Sequence, residues 1–162
     1  MITAKKAEQF DPAQLTDTVK RAVYRAAERI AKYELDNAMT FTDTSTTKAH
    51  FINMYRGREA EMFGVLFLDN RHNKIALKEM FQGTLDSCSV HPREVVREAM
   101  RNNAAAVILF HNHPSGVVDP SRSDVTMTRR LTEALSMVDV RVLDHVVIGA
   151  ADVYSFAENG QV

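Results

Sequence analysis

The stretch of sequence that decides the fold is residues 106–124, AVILFHNHPSGVVDPSRSD. It begins inside an apolar run, 104–110, and a short run that is apolar on both faces is typical of a strand buried between two layers. A loop rich in Pro and Gly follows, and Ser121 then marks the start of a helix. Strand, loop and helix in this order predict an α/β domain.

Segments on either side of this stretch alternate between helical and strand-like patterns. The apolar run at 62–68, a turn at 69–73 and a second strand through Ile75 and Leu77 predict a hairpin. The other segments that we expect are helices at 48–55, 91–103 and 121–137, and strands at 140–148 and 153–156. The fold class predicted is an α/β sandwich with a mixed sheet flanked by helices.

The first 44 residues are predicted to form a helical extension and a linker. Asp11 and Pro12 are typical of a helix start. The helix is expected to run to about Asn37, and its apolar stripe is Leu15, Val19, Val23, Ala26 and Ile30. The polar run 40–47 is interpreted as a linker, which gives domains at 1–44 and 45–162. The stripe could pack on the domain or on a second copy of the chain, and the sequence leaves both open.

Two histidines and an aspartate around the central loop have the spacing of metal ligands. His111 and His113 stand two residues apart at a strand end, so that both imidazoles point to the same side. Asp124 lies in the first turn of the following helix. Three protein ligands leave a fourth position for water, which is the pattern of a catalytic zinc site with one zinc ion per chain.

The same residues have simpler interpretations. A lone histidine near a strand end is more often hydrogen-bonded than ligated, and Ser121 with Asp124 matches a capping box. Two imidazoles buried side by side are harder to explain by stability, because their desolvation is costly unless something binds them. We therefore favour the metal site.

With its spacing of seven residues between His113 and Ser121, the stretch resembles the JAMM motif of MPN-type metallopeptidases. The sequences HPREVV at 91–96, AVILFHNHPSG at 106–116 and VLDHVVIG at 142–149 are similar to RadC-like (JAB) domains. The likeness covers about 45–158. It implies a cytidine-deaminase-like MPN fold of three layers. Because the sequence shows no helix-hairpin-helix pattern, the chain resembles the short RadC-like proteins of mobile elements.

The resemblance also implies a mechanism. The family uses a glutamate just before an apolar strand, and Glu61 matches that position better than Glu59 because the apolar run starts directly after it. Glu61 would then activate a metal-bound water as general base, and the Ser121 hydroxyl would help to stabilise the oxyanion. The implied reaction is hydrolysis of an amide or isopeptide bond in a peptide or protein substrate.

The remaining titratable residues are interpreted as structural. His145, on a closing strand, could approach the site from behind, although a structural role is favoured. His50, His72 and His91 are expected to face solvent or to cap helices. Cys88 is the single cysteine, which excludes an internal disulfide and fits a cytoplasmic protein.

Charge and composition limit the other functions. With 20 Lys and Arg against 21 Asp and Glu, the net charge of −1 does not support nucleic-acid binding, although it does not exclude it. No apolar run is long enough for a membrane span. The alternatives left open are a non-catalytic metal-containing module in DNA repair or mobile-element processing, and a non-haem iron oxygenase. A zinc deaminase is disfavoured because no Cys-x-x-Cys pair exists.

Overall fold

A computed structural model of the chain describes residues 16–36, 41, 44–83 and 90–162. Its helices are α1 (Asp17–Asp36), α2 (Thr44–Tyr55), α3 (Pro92–Arg101) and α4 (Arg122–Ser136). Its strands are β1 (Met62–Leu68), β2 (Lys74–Gln82), β3 (Ala106–Asn112), β4 (Arg141–Ile148) and β5 (Val153–Ser155). The helix start predicted at Asp11 and Pro12, and Cys88, lie outside the described residues.

The five strands form one mixed sheet in the order β2-β1-β3-β4-β5. β1 pairs antiparallel with β2 and with β3, β3 pairs parallel with β4, and β5 closes the edge antiparallel to β4. The connection from β3 to β4 runs through α4, as a parallel pair requires. The predicted mixed α/β fold is confirmed.

Apolar side chains fill the space on both faces of this sheet and make three layers. Phe51 and Tyr55 of α2 stack on Phe110 of β3, with ring centroids 4.6 and 4.7 Å apart. On the other face α3 and α4 cover the alternate strand residues through Val95, Ala99, Leu131 and Leu135. Because both faces of the three central strands are covered, β1 and β3 are buried along their whole length.

Two predicted boundaries are wrong. The strand expected at 104–110 lies at Ala106–Asn112, because His111 and Asn112 continue the ladder opposite Val147 and Ile148. The polar run 40–47 is not all linker, since α2 already begins at Thr44. Thr and Ser are poor helix formers, but the buried side chain of Thr47 anchors this turn.

His50 is also placed differently from the prediction of a solvent-facing side chain. It is buried, with its ring edge-on to Phe41 and Phe51. Its Nε2 atom has no hydrogen-bond partner among the described residues. Burial, with a smaller contribution from the charge of Lys74, lowers the pKa of His50 to about 4, so the side chain is neutral near pH 7.

The described contacts of helix α1 with the domain include polar ones made by Tyr24 and Glu28. The ring of Tyr24 lies 4.7 Å from the Arg56 guanidinium, and Glu28 accepts a hydrogen bond of 2.6 Å from Arg58. Val19, Val23 and Ile30 of the stripe are exposed. No helix in the described part of the chain is long and apolar enough to cross a bilayer.

Candidate metal centre

The predicted ligands come from two neighbouring elements. His111 is the penultimate residue of β3, and His113 directly follows the strand. Residues two apart on a strand project to the same side, here towards the first turn of α4. Asp124 is the third residue of that helix. After the histidines at the end of β3, the chain returns through α4 to β4, which lies parallel to β3. The start of α4 therefore lies beside the histidines.

The donor atoms of His111, His113 and Asp124 all lie within 4.8 Å of one another. The two imidazole Nε2 atoms are 3.0 Å apart. Each also faces one carboxylate oxygen of Asp124, at 3.5 Å from His111 and 3.6 Å from His113. His111 and Asp124 are buried and His113 is half-buried, so the cluster opens to one side only.

A capping box fixes the orientation of Asp124. The Ser121 backbone N–H donates to Asp124 Oδ2 at 2.7 Å, and the Ser121 hydroxyl accepts from the Asp124 N–H at 3.2 Å. Burial opposes ionisation of Asp124, but the adjacent imidazoles of His113 and His111 and the hydrogen bonds with Ser121 hold its pKa well below the usual range. The capping and ligand interpretations of this motif are therefore compatible.

The donor set fits a divalent cation. Two imidazole nitrogens 3.0 Å apart either share the hydrogen of one of them or bind one metal ion together, and the carboxylate beside them favours a cation. Burial lowers the pKa of His111 to about 4, whereas the adjacent carboxylate of Asp124 raises the pKa of His113. His113 Nδ1 lies 2.7 Å from the Val117 carbonyl oxygen, which can only accept, so this nitrogen carries a hydrogen and Nε2 can serve as donor to a metal.

Glu61 reaches the same cavity from the sheet, and Asn112 holds it there. The Asn112 side chain accepts from the Met62 N–H at 2.9 Å and donates to the Ala60 carbonyl at 3.1 Å. Asn112 can do this because it points to the opposite face from its two histidine neighbours. Burial raises the pKa of Glu61, with His113 lowering it and Asp124 raising it further. Glu59 instead lines a separate cleft.

His145 lies behind the ligands in full burial. Its Nε2 is 2.8 Å from His111 Nδ1, and its Nδ1 is 2.6 Å from the Thr128 hydroxyl. Phe156 stacks on the imidazole at 4.8 Å between ring centroids. The favoured structural interpretation of His145 is thus incomplete, because this side chain contacts a candidate ligand directly.

The cluster lies at the floor of a cavity of about 840 Å³. The side chains that line it beyond the cluster and Glu61 include Ser121, Phe63, His91, Met127 and Arg130. A cavity of this size, lined by both polar and apolar side chains, is large enough for a segment of peptide.

Sequence reasoning assigned no role to Asn112 or Thr128. Asn112 stands between the two histidines, but its contact with residues 60 and 62 depends on the antiparallel register of β1 and β3. Thr128 stands one helical turn after Asp124, a spacing that places both on one face of α4. That spacing is the one signal which could have identified it.

A sequence profile of the RadC-like JAB domain matches residues 41–161. The UPF0758 protein of Nitrosococcus oceani is 48% identical over 157 residues, which are 94% of this chain and 70% of that protein. The UPF0758 protein of Vibrio atlanticus is 48% identical over 142 residues, 88% of this chain and 63% of its own length. The UPF0758 protein of Marinobacter nauticus is 46% identical over 164 residues, which cover 99% of this chain and 73% of that protein. The chain thus spans about two thirds of the length of these relatives, and the alignments extend beyond the range of the profile.

Proposed function

The chain belongs to the RadC-like JAB domain family, and on that premise we propose that it is a zinc-dependent hydrolase of amide or isopeptide bonds. One observation carries the proposal: three side chains that could bind a metal ion line the same cavity as a carboxylate outside that set. His111, His113 and Asp124 form the donor cluster, and Glu61 lines the same cavity. A metal site that serves only structure is usually closed by four protein ligands and has no need of such a neighbour.

The donor chemistry favours zinc. Two imidazole nitrogens and one carboxylate, with a position left open, are the ligands of many catalytic zinc sites. His111 Nε2, His113 Nε2 and an Asp124 oxygen would hold the ion. A bound zinc ion lowers the pKa of water beside it and polarises a carbonyl group.

Glu61 acts on the attacking water as general base. The raised pKa of Glu61 brings its proton affinity closer to those of the attacking water and the leaving nitrogen, with which it exchanges protons. The carboxylate accepts the proton when the water attacks the carbonyl carbon, and then donates it to the leaving nitrogen as the carbon–nitrogen bond breaks. Asn112 keeps the segment 60–62 in place for this transfer.

Ser121 binds the oxygen of the scissile carbonyl. Its hydroxyl oxygen accepts from the Asp124 N–H, which leaves the hydroxyl hydrogen available to donate into the cavity. A donor fixed by a helix cap loses little entropy when it meets the developing negative charge. The substrate is a peptide or protein segment that fits the cavity of about 840 Å³.

Comparison of Glu61→Gln with Glu59→Gln tests the proposal. Both variants and the wild type are loaded with zinc and assayed on a panel of fluorogenic peptides and of peptides joined through a lysine ε-amide. We expect Glu61→Gln to retain zinc and to lose on the order of 10²–10⁴-fold in rate. Glu59→Gln should behave as the wild type, because Glu59 lines a different cleft.

Two results would contradict the proposal. One is a Glu61→Gln variant with wild-type activity. The other is a zinc-loaded wild type that cleaves no member of the panel.

A further inference from the structure

Three hydrogen bonds connect the backbone of α4 to His111. The Thr128 hydroxyl lies 2.6 Å from the Asp124 carbonyl oxygen and 2.6 Å from His145 Nδ1. His145 Nε2 lies 2.8 Å from His111 Nδ1. Thr128, His145 and His111 are each at most 1% exposed, so water does not compete for these contacts.

The first acceptor fixes the direction of all three bonds. A carbonyl oxygen can only accept, so the one hydrogen of the Thr128 hydroxyl is used on Asp124. His145 Nδ1 must therefore donate to Thr128, and the neutral imidazole then has a lone pair at Nε2. His111 Nδ1 must donate to that lone pair, which leaves the His111 Nε2 lone pair facing His113 and Asp124.

We propose that Thr128 and His145 are positioning residues which fix the tautomer of His111 and so hold its Nε2 ready to bind the metal ion. A single turn of α4 then has two effects. Asp124 provides one ligand, and Thr128 determines which nitrogen of a second ligand, His111, carries the hydrogen. The inference shares the metal ion with the proposed function, but it does not depend on hydrolysis.

Packing around His145 keeps its ring from rotating. Phe156 stacks on one face at an interplanar angle of 22°, and Phe63 approaches at 6.0 Å with its ring at 69°. The Asp144 carboxylate accepts from the His145 N–H at 2.7 Å and from the Ser155 hydroxyl at 2.7 Å. The ring is therefore fixed by its neighbours, and the direction of its hydrogen bonds depends on Thr128.

Matched pairs of variants test this assignment. Thr128→Val keeps the shape of the side chain and removes the hydroxyl, whereas Thr128→Ser keeps the hydroxyl. His145→Leu removes the acceptor, whereas the amide oxygen of His145→Gln can occupy the place of Nε2. For each protein, the Zn²⁺ dissociation constant is measured by competition with a chromophoric chelator, and the His111 tautomer in the metal-free protein by long-range ¹H–¹⁵N NMR.

We expect Thr128→Val and His145→Leu to bind Zn²⁺ about 10–100-fold more weakly, as is usual when a group that orients a ligand is lost. In Thr128→Val the His111 proton should move from Nδ1 to Nε2. Thr128→Ser and His145→Gln should retain both the affinity and the Nδ1–H tautomer of the wild type. Since Val replaces Thr without a change of volume, the Thr128 pair decides the matter if a His145 variant does not fold.

Weaker Zn²⁺ binding without a change of tautomer, a change of tautomer without weaker binding, or no change in either would overturn the proposal. A wild type that binds zinc but hydrolyses nothing refutes the proposed function and leaves this inference standing. If the wild type binds no zinc, the proposed function fails, and so does the role of Thr128 and His145 in metal binding.

Discussion

The Ser121 oxygen caps helix α4, and in the proposed mechanism its hydrogen remains available to a substrate. Replacement by Asn preserves capping, because Asn is as good an N-cap residue as Ser, but moves the polar atoms. We expect Ser121→Asn to fold with near-native stability, to bind zinc, and to lose on the order of 10²–10³-fold in rate, as when one oxyanion donor is removed. Denaturation, zinc analysis and the peptide panel measure these three properties.

Ser121→Ala is the matched control, since it removes the cap as well and should cost about 0.5–2 kcal/mol of stability. Full hydrolytic activity in Ser121→Asn would limit Ser121 to its role as a cap.

The sequence brings together the three side chains of the donor cluster, because their relation is local. His111 and His113 are two strand positions apart, and the capping box brings Asp124 to the helix start that follows. The hydrogen bond between Thr128 and His145 could not be predicted from the sequence, because it requires α4 to pack against β4 in one register. The hydrogen bonds of Asn112 likewise depend on the neighbouring strand.

At the scale of elements, α2 shows where a local pattern misleads. Its first residues are polar and β-branched, which predicts a linker, but Thr47, His50 and Phe51 are buried against the sheet. Tertiary packing outweighs helix propensities of a few tenths of a kcal/mol per residue. Strands β1 and β2 are predicted more closely, because an apolar run and a turn are sufficient to define a hairpin.

The buried His50 of α2 predicts a loss of stability in acid. Its pKa is lowered from 6.5 to about 4 in the folded protein, so below pH 6.5 the unfolded chain binds a proton that the folded chain does not. Stability therefore falls as the pH drops from 6.5 to 4, and His50 contributes on the order of 2–3 kcal/mol to that fall. Urea denaturation of wild type and His50→Leu at a series of pH values isolates this contribution.

His50→Leu should lose less stability than the wild type over this interval. The two proteins should show the same pH dependence above 6.5. Equal losses in acid would mean that His50 is not held neutral by burial.

For the whole molecule, the N-terminal helix is peripheral to the sheet and its two covering layers. The contacts between α1 and the domain include those of Tyr24 with Arg56 and of Glu28 with Arg58, which are made by exposed or half-buried side chains. We expect deletion of residues 1–40 to leave a folded domain that still binds zinc, because the apolar contacts of the sheet are untouched. Circular dichroism and zinc content of the truncated protein check this outcome.

The boundary after residue 44 that the sequence suggests gives a sharper comparison. Deletion of residues 1–44 also removes Phe41, which is buried against α2, and the first residue of that helix. The longer deletion should therefore be less stable than the shorter one by a few kcal/mol, as when a buried aromatic side chain is lost. A molten protein after the shorter deletion would show that α1 belongs to the core.

Calorimetric titration of Zn²⁺ into metal-stripped protein measures whether His111, His113 and Asp124 hold one zinc ion, as we propose. We expect one site per chain in the wild type and its loss in His113→Ala and in Asp124→Asn. His91→Ala should bind as the wild type, because His91 lines the same cavity without belonging to the donor cluster. Absence of Zn²⁺ binding in the wild type, or a site of unchanged affinity in both ligand variants, would show that these three residues do not form a zinc site.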